Sequence, residues 1–143
     1  MTRILVPLDA DGDRTMRQVE ALRDLPLETD AEVLLLHVYD PIDAHGTGVA
    51  GTSIDEINAA MEQLHGLPDE LPEADEQLQG AGYSTRLITA VDEVDTAILS
   101  VAEAETVDLI VLATRKQSPV GKALFGSVAQ SVILDASVPV LVI

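Results

Sequence analysis

The sequence predicts an α/β fold: a single doubly wound, five-stranded parallel sheet with helices on both faces, formed by residues 1–143 as one domain. Three observations carry this expectation. The runs Ile4-Leu5-Val6, Val33-Leu34-Leu35-Leu36, Leu109-Ile110-Val111-Leu112 and Val140-Leu141-Val142-Ile143 are almost continuously apolar, as strands covered on both faces are. Stretches with helical spacing of apolar residues separate these runs, the order that right-handed crossovers between parallel strands require. A length of 143 residues supplies one ordinary hydrophobic core.

The first strand is expected over residues 3–8. A helix over 14–25 follows, with Met16, Val19 and Leu22 inward and Pro26 ending it. The second strand covers 32–39, and His37 fills its end. Between Thr52 and Gly80 two helical pieces are expected: Ile54, Ile57 and Met61 begin the first near Ser53, and Gly66-Leu67-Pro68 and Pro72 interrupt the pattern. The acid clusters Asp69-Glu70 and Glu73 to Glu76 read as solvated helix surface. The run over 83–90 alternates apolar and polar residues, which places it nearer a sheet edge than the others. A helix over 92–104 turns Val94, Ile98, Val101 and Ala102 inward. Strand four covers 109–113, and a helix over 127–135 buries Val128, Val132 and Ile133. Strand five covers 138–143.

Composition narrows the function classes. Twenty-five Asp and Glu against 8 Lys and Arg give a formal net charge of −17, which disfavours nucleic acids and other polyanions as partners. Only Tyr39, Tyr83 and Phe125 are aromatic, so no platform for stacking bases is available. An acidic, Lys-poor surface over an aliphatic core suits concentrated salt, and a halophilic cytoplasm is the expected setting. The absence of cysteine excludes disulfide scaffolds, thiolate metal sites and thiol nucleophiles. No segment reaches the length of a membrane span or has the apolar region of a secretory leader, so no membrane association is expected.

Ligands of open parallel sheets bind outside the carboxyl ends of the strands at the point where strand order reverses, which directs attention to the loops after strands one and four. Residues 109–134 carry Arg115, Lys116 and Lys122 and no acid, an island of positive charge in an acidic chain. An anion accounts for it: Gly126 admits a phosphate to the backbone, Ser127 donates a hydroxyl, and the following helix adds free N–H groups. The competing reading pairs these cations with acids elsewhere and leaves Gly126-Ser127 as a helix cap. Asp9 has a similar alternative as a turn former or helix capper.

Other patterns fail on context. Gly46-Thr47-Gly48-Val49-Ala50-Gly51 has the dinucleotide-fingerprint spacing but stands well past the end of strand two, so it reads as a glycine loop. Asp9, Asp11, Asp13 and Glu20 resemble calcium-loop spacing, but Arg14 stands where a glycine is needed. His37, His45 and His65 lack metal-ligand spacing, and no metal site is expected. No nucleophile elbow or Walker loop occurs, so no catalytic residues are assigned.

Over essentially its whole length the chain resembles the universal stress protein family. The resemblance is carried by Ile4-Leu5-Val6-Pro7-Leu8-Asp9, Leu34-Leu35-Leu36-His37-Val38, Asp108-Leu109-Ile110-Val111-Leu112, and above all by Gly126-Ser127-Val128-Ala129-Gln130-Ser131-Val132 followed by Ser137-Val138-Pro139-Val140-Leu141-Val142-Ile143. It implies the adenine nucleotide alpha hydrolase-like fold and a cytoplasmic protein of stress response or regulation that binds ATP or a related adenine nucleotide, with Mg accompanying it. It further implies that Pro7 and Asp9 lie beside the base, with Leu8 also among the nucleotide-binding residues, that the Val38 backbone meets the adenine edge, and that Leu112 and Val128 flank the ligand. Family members that bind ATP carry Gly-x2-Gly-x9-Gly-Ser/Thr. Here Gly126-Ser127 keeps the last pair, whereas Ala113 and Lys116 occupy the two earlier glycine positions. Their side chains restrict backbone that would lie against ribose and phosphate, while Arg115, Lys116 and Lys122 offer charge in its place. Two alternatives stay open: a member that binds no nucleotide and serves as a protein-interaction module, and a slow ATPase or autophosphorylating protein with Ser127 as acceptor.

Assembly follows from the last apolar run. A hydrophobic strand at a sheet edge leaves backbone groups unpaired, and pairing with its own copy satisfies them. A homodimer is therefore expected through Val138, Val140, Leu141 and Val142, and the family resemblance implies the same arrangement. The alternative leaves this strand beside strand four with no interface.

Overall fold

The computed structural model describes residues 1–9, 11–27, 30–39, 68–114 and 126–143. Its strands are β1 (Thr2–Pro7), β2 (Ala31–Tyr39), β3 (Ser84–Val91), β4 (Leu109–Leu112) and β5 (Val140–Val142). The helices are α1 (Gly12–Asp24), α2 (Leu71–Gly80), α3 (Val94–Ala104) and α4 (Ser127–Asp135). All pairings are parallel and the sheet order is β3-β2-β1-β4-β5. The expected five-stranded doubly wound sheet is therefore present, and its order reverses between β1 and β4.

Two aliphatic layers cover the sheet. On one face Ile4, Val6, Val33 and Leu35 pack with Val19 and Leu22 of α1 and with Ala74 and Leu78 of α2. On the other, Leu5, Leu34, Leu36 and Ile110 pack with Ile98 and Ala102 of α3 and with Val132 of α4. Neighbouring residues of each central strand thus face opposite layers, which is why the runs are continuously apolar. The alternating third run lies at one edge as β3, with an exposed or half-buried residue at every position.

Local chemistry sets several element ends. Asp11 caps α1, its carboxylate accepting from the Asp13 N–H at 3.0 Å. Pro72, expected to interrupt a helix, instead stands in the first turn of α2, where its missing N–H costs nothing. The first helical piece expected between Thr52 and Gly80 lies outside the described residues, as does the glycine loop 46–51. Two inward assignments are corrected. Ile133 is 39% exposed because α4 meets only one neighbouring layer and buries Val132 there, and Val94 is likewise 39% exposed at the start of α3.

The β5 strand lies at the other edge. Ile110 donates to the Pro139 carbonyl at 3.0 Å and Ile143 donates to the Leu112 carbonyl at 2.9 Å, in a register that pairs Ile110 with Val140 and Leu112 with Val142. In such a parallel ladder alternate residues of β5 bond to β4. Pro139, Leu141 and Ile143 face β4, so the N–H and C=O groups of Val140 and Val142 point away from the sheet.

Candidate functional site

The reversal between β1 and β4 opens a crevice at the carboxyl ends of both strands. Its cavity of about 190 Å³ is lined by Pro7, Leu8 and Asp9 after β1 and by Leu112 and Ala113 after β4. Gly126, Ser127 and Val128 close it from the start of α4. These eight residues, separated by up to 121 positions in sequence, are all among those singled out from the sequence. Val38 is not in this wall; it packs in the layer beneath α3 and α4. Arg115, Lys116 and Lys122 lie outside the described residues. Val138, Val140, Leu141 and Val142 belong to the β5 edge.

The α4 end is built to present backbone. Gly126 is its cap residue, with φ −62° and ψ 161°, and among the described residues no side chain caps the helix. A Cβ at Gly126 would meet nothing within 4 Å among the described residues. Neither the backbone conformation nor crowding by the described residues therefore demands glycine here. The first-turn N–H groups of Ser127, Val128 and Ala129 have no intrahelical acceptor, and together with the helix dipole they favour an anion.

Asp9 is already engaged on the opposite side. Its carboxylate accepts from the Asp11 N–H at 2.7 Å and from Arg14 Nη1 at 2.6 Å, and Arg14 Nε donates to Asp11 at 3.1 Å. Asp9 is thus a turn former, and Asp11, not Asp9, is the helix cap. Desolvation works to raise the Asp11 carboxyl, but the Arg14 charge and the N–H groups of Asp13 and Arg14 outweigh it and hold the group below the usual carboxylate range. Arg14 itself lines the cavity.

Sequence reasoning passed over Arg14, Gln18, Val94 and Ile98, all of which line the same cavity. The sequence pattern assigns Val94 and Ile98 to the core. They form an apolar floor, with Ile98 1% exposed. The α3 and α4 walls are tied together by Ser131 Oγ, which donates to Asp95 at 2.8 Å. That hydrogen bond, with a second from the Thr96 N–H, holds the Asp95 carboxyl below its ordinary value. Behind β4, Arg17 of α1 donates to the Thr114 carbonyl at 2.6 Å, which fixes the chain where it leaves the strand.

His37 fills the end of β2 as expected, at 7% exposure. It has the parity of Val33 and Leu35 and so faces the α1 and α2 layer, away from the crevice. Neither ring nitrogen has a hydrogen-bond partner among the described residues, and the ring meets Tyr39 edge-on with centroids 4.4 Å apart. Burial pushes the imidazole pKa down.

An open parallel sheet with a crevice at its reversal point, walled by a helix N-terminus, places this protein in the doubly wound α/β class whose ligands bind at the switch point. Compared with known families, residues 1–143 match the Universal stress protein family, and the chain belongs to that family. It is 27% identical to the universal stress protein MJ0577 of Methanocaldococcus jannaschii, over 99% of this chain and 93% of that protein. A universal stress protein of Mycolicibacterium smegmatis is 35% identical over 75% of this chain and 83% of its own length. The solved structure of MJ0577 superposes with a TM-score of 0.73 at 24% identity, covering 99% of this chain and 94% of that one. The universal stress protein from Archaeoglobus fulgidus in complex with dAMP superposes with a TM-score of 0.61 at 24% identity, covering 99% and 97%. A family protein from Arabidopsis thaliana with AMP bound gives 0.65 at 16% identity, covering 100% and 91%. No helix among the described residues is long and apolar enough to cross a membrane.

Proposed function

We propose that this universal stress protein binds an adenine nucleotide across the carboxyl ends of β1 and β4, as a homodimer of the cytoplasm that serves stress response or regulation. The observation that carries the reading is the α4 N-terminus: Gly126 and Ser127 are exposed, first-turn N–H groups without an intrahelical acceptor border the cavity, and among the described residues nothing crowds a Cβ at Gly126. Relatives solved with dAMP and AMP support the choice of ligand. The phosphates lie against Gly126, Ser127 and Val128, with charge from Arg115, Lys116 and Lys122. The base lies beside Pro7, Leu8 and Asp9, over the apolar floor from α3, with Leu112 and Ala113 along its side. The net charge of −17 suits a salt-rich cytoplasm.

ATP fits the cations, whereas a monophosphate is what the two relatives hold. Mg would arrive on the phosphates of ATP: among the described residues lining the cavity Asp9 is the one carboxylate, and Arg14 already engages it. The same ion pair argues for at most slow hydrolysis, since Asp9, the carboxylate among the described lining residues, is held by Arg14 and not free to activate water. Calorimetry with ATP and with AMP in molar salt tests the reading, and Lys116→Glu should weaken ATP uptake. No uptake of either at millimolar concentration refutes it in favour of a protein-interaction module, the second reading, which Ala113 and Lys116 at the family's glycine positions favour.

The outward-facing groups of Val140 and Val142 support dimerisation through β5, two copies pairing antiparallel about a twofold axis with Val138 and Leu141 beside the seam.

A further inference from the structure

The two central strands of the sheet part early. β1 pairs β2 from Thr2 to Pro7, but its ladder to β4 runs only through Ile4 with Leu109 and Leu5 with Ile110. In that register the next ladder bond would run from the N–H of residue 7 to the Val111 carbonyl. Residue 7 is proline and has no N–H. The ladder stops there for a chemical reason, and the crevice opens beyond it.

A stopped ladder leaves two carbonyls inside the protein, Pro7 O on one strand and Val111 O on the other, and unmet acceptors in such a place are costly. One side chain answers both. Gln18 of α1, 3% exposed, donates from Nε2 to Pro7 O at 3.1 Å and to Val111 O at 3.0 Å. The amide nitrogen has two N–H groups, so each carbonyl receives one. Gln18 supplies the donor that Pro7 lacks and stands in the gap between the strands, at the inner wall of the cavity.

We infer that Gln18 is a positioning residue for the ligand. Its amide sets the separation of β1 and β4 and so holds Leu8 and Asp9 at a fixed distance from Leu112 and Ala113. The inference rests on the nucleotide reading above for what it positions, but the wedge itself does not depend on any ligand. Without the amide, the two acceptors are stranded and the loops after both strands are free to shift. A misplacement of that kind lowers affinity without touching the groups that contact the ligand.

The test uses the whole protein and AMP as probe. In the wild type the Gln18 side-chain protons should be protected from hydrogen exchange far beyond an exposed amide, and exchange at the exposed rate overturns the wedge. In ligand-free Gln18→Leu the backbone amide resonances of Leu8, Asp9, Leu112 and Ala113 should shift while those at the β5 edge stay in place; an unchanged crevice overturns it. Gln18→Leu should bind AMP at least about tenfold more weakly. Gln18→Glu sets a carboxylate against two carbonyls at neutral pH and can donate only when protonated, so its affinity relative to wild type should recover as pH falls. A folded Gln18→Leu with wild-type affinity overturns the positioning role. If wild-type protein takes up no AMP, the nucleotide reading is what fails, and the exchange and resonance measurements still decide the wedge.

Discussion

Replacing Gly126 by alanine separates what the fold needs from what the ligand needs. At φ −62° and ψ 161° an L-residue is unstrained, and no described atom lies within 4 Å of the added Cβ. Alanine reduces the freedom of the unfolded chain, worth about 0.4–1 kcal/mol in favour of folding. It is also a poorer helix cap than glycine, which costs a similar amount. The two nearly cancel, and stability should change by less than about 1 kcal/mol, or about 4 °C in Tm for a domain of this size. Binding responds differently. A methyl group where a phosphate oxygen must come within hydrogen-bonding distance of the first-turn N–H groups displaces one or two charge-assisted bonds, each worth about 1.5–3 kcal/mol. AMP affinity should therefore fall at least about tenfold while the melting curve barely moves. Thermal unfolding and calorimetry on the same preparations measure both. A Tm loss beyond about 8 °C would show that the glycine serves the fold, and wild-type affinity in Gly126→Ala would refute the phosphate position.

Three further outcomes are expected. His37 has a pKa below its ordinary 6.5 because it is buried, so below that pH the unfolded chain binds a proton that the folded chain refuses. Stability should hold above pH 6.5 and decline as pH falls through it, by at most about 1.4 kcal/mol per pH unit; denaturant titrations in which His37→Phe keeps the same slope would contradict this. Val142→Pro removes an N–H that points away from β4, so the fold should survive at an edge position while the dimer dissociates; sedimentation at molar salt giving an intact dimer would exclude the β5 seam. Ser131→Ala deletes the main hydrogen bond to Asp95, so that carboxyl should titrate nearer its ordinary 3.8, as followed by NMR, and the stability it confers should be lost at a higher pH on acidification. An unmoved Asp95 titration would mean that the α3–α4 tie does not form in solution.

The amino-acid sequence by itself determined the architecture, because burial on both faces of a parallel sheet writes itself as continuous apolar runs and an edge strand as alternation. Ile4-Leu5-Val6 and the alternating run over 83–90 are legible in that way without any contact being known. Much of the crevice was legible too: Gly126-Ser127 before a helix and Pro7-Leu8-Asp9 after a strand are local patterns, and fold rules bring the ends of strands one and four together. What only the tertiary structure decided are relations between residues whose types are individually ordinary. Arg14 reads as one more surface cation until its guanidinium is seen between Asp9 and Asp11. Val94 and Ile98 read as core because an apolar helix face looks alike whether it covers a sheet or floors a cavity. Gln18 beside Val19 looks like the polar margin of an amphipathic helix, and its burial makes sense only when a proline across the gap is seen to have left a carbonyl without its donor. Periodicity records which face of an element is covered. It does not record which atom on a distant strand lacks a partner, because that depends on register and on where two strands separate, and both are fixed only when the whole sheet has formed.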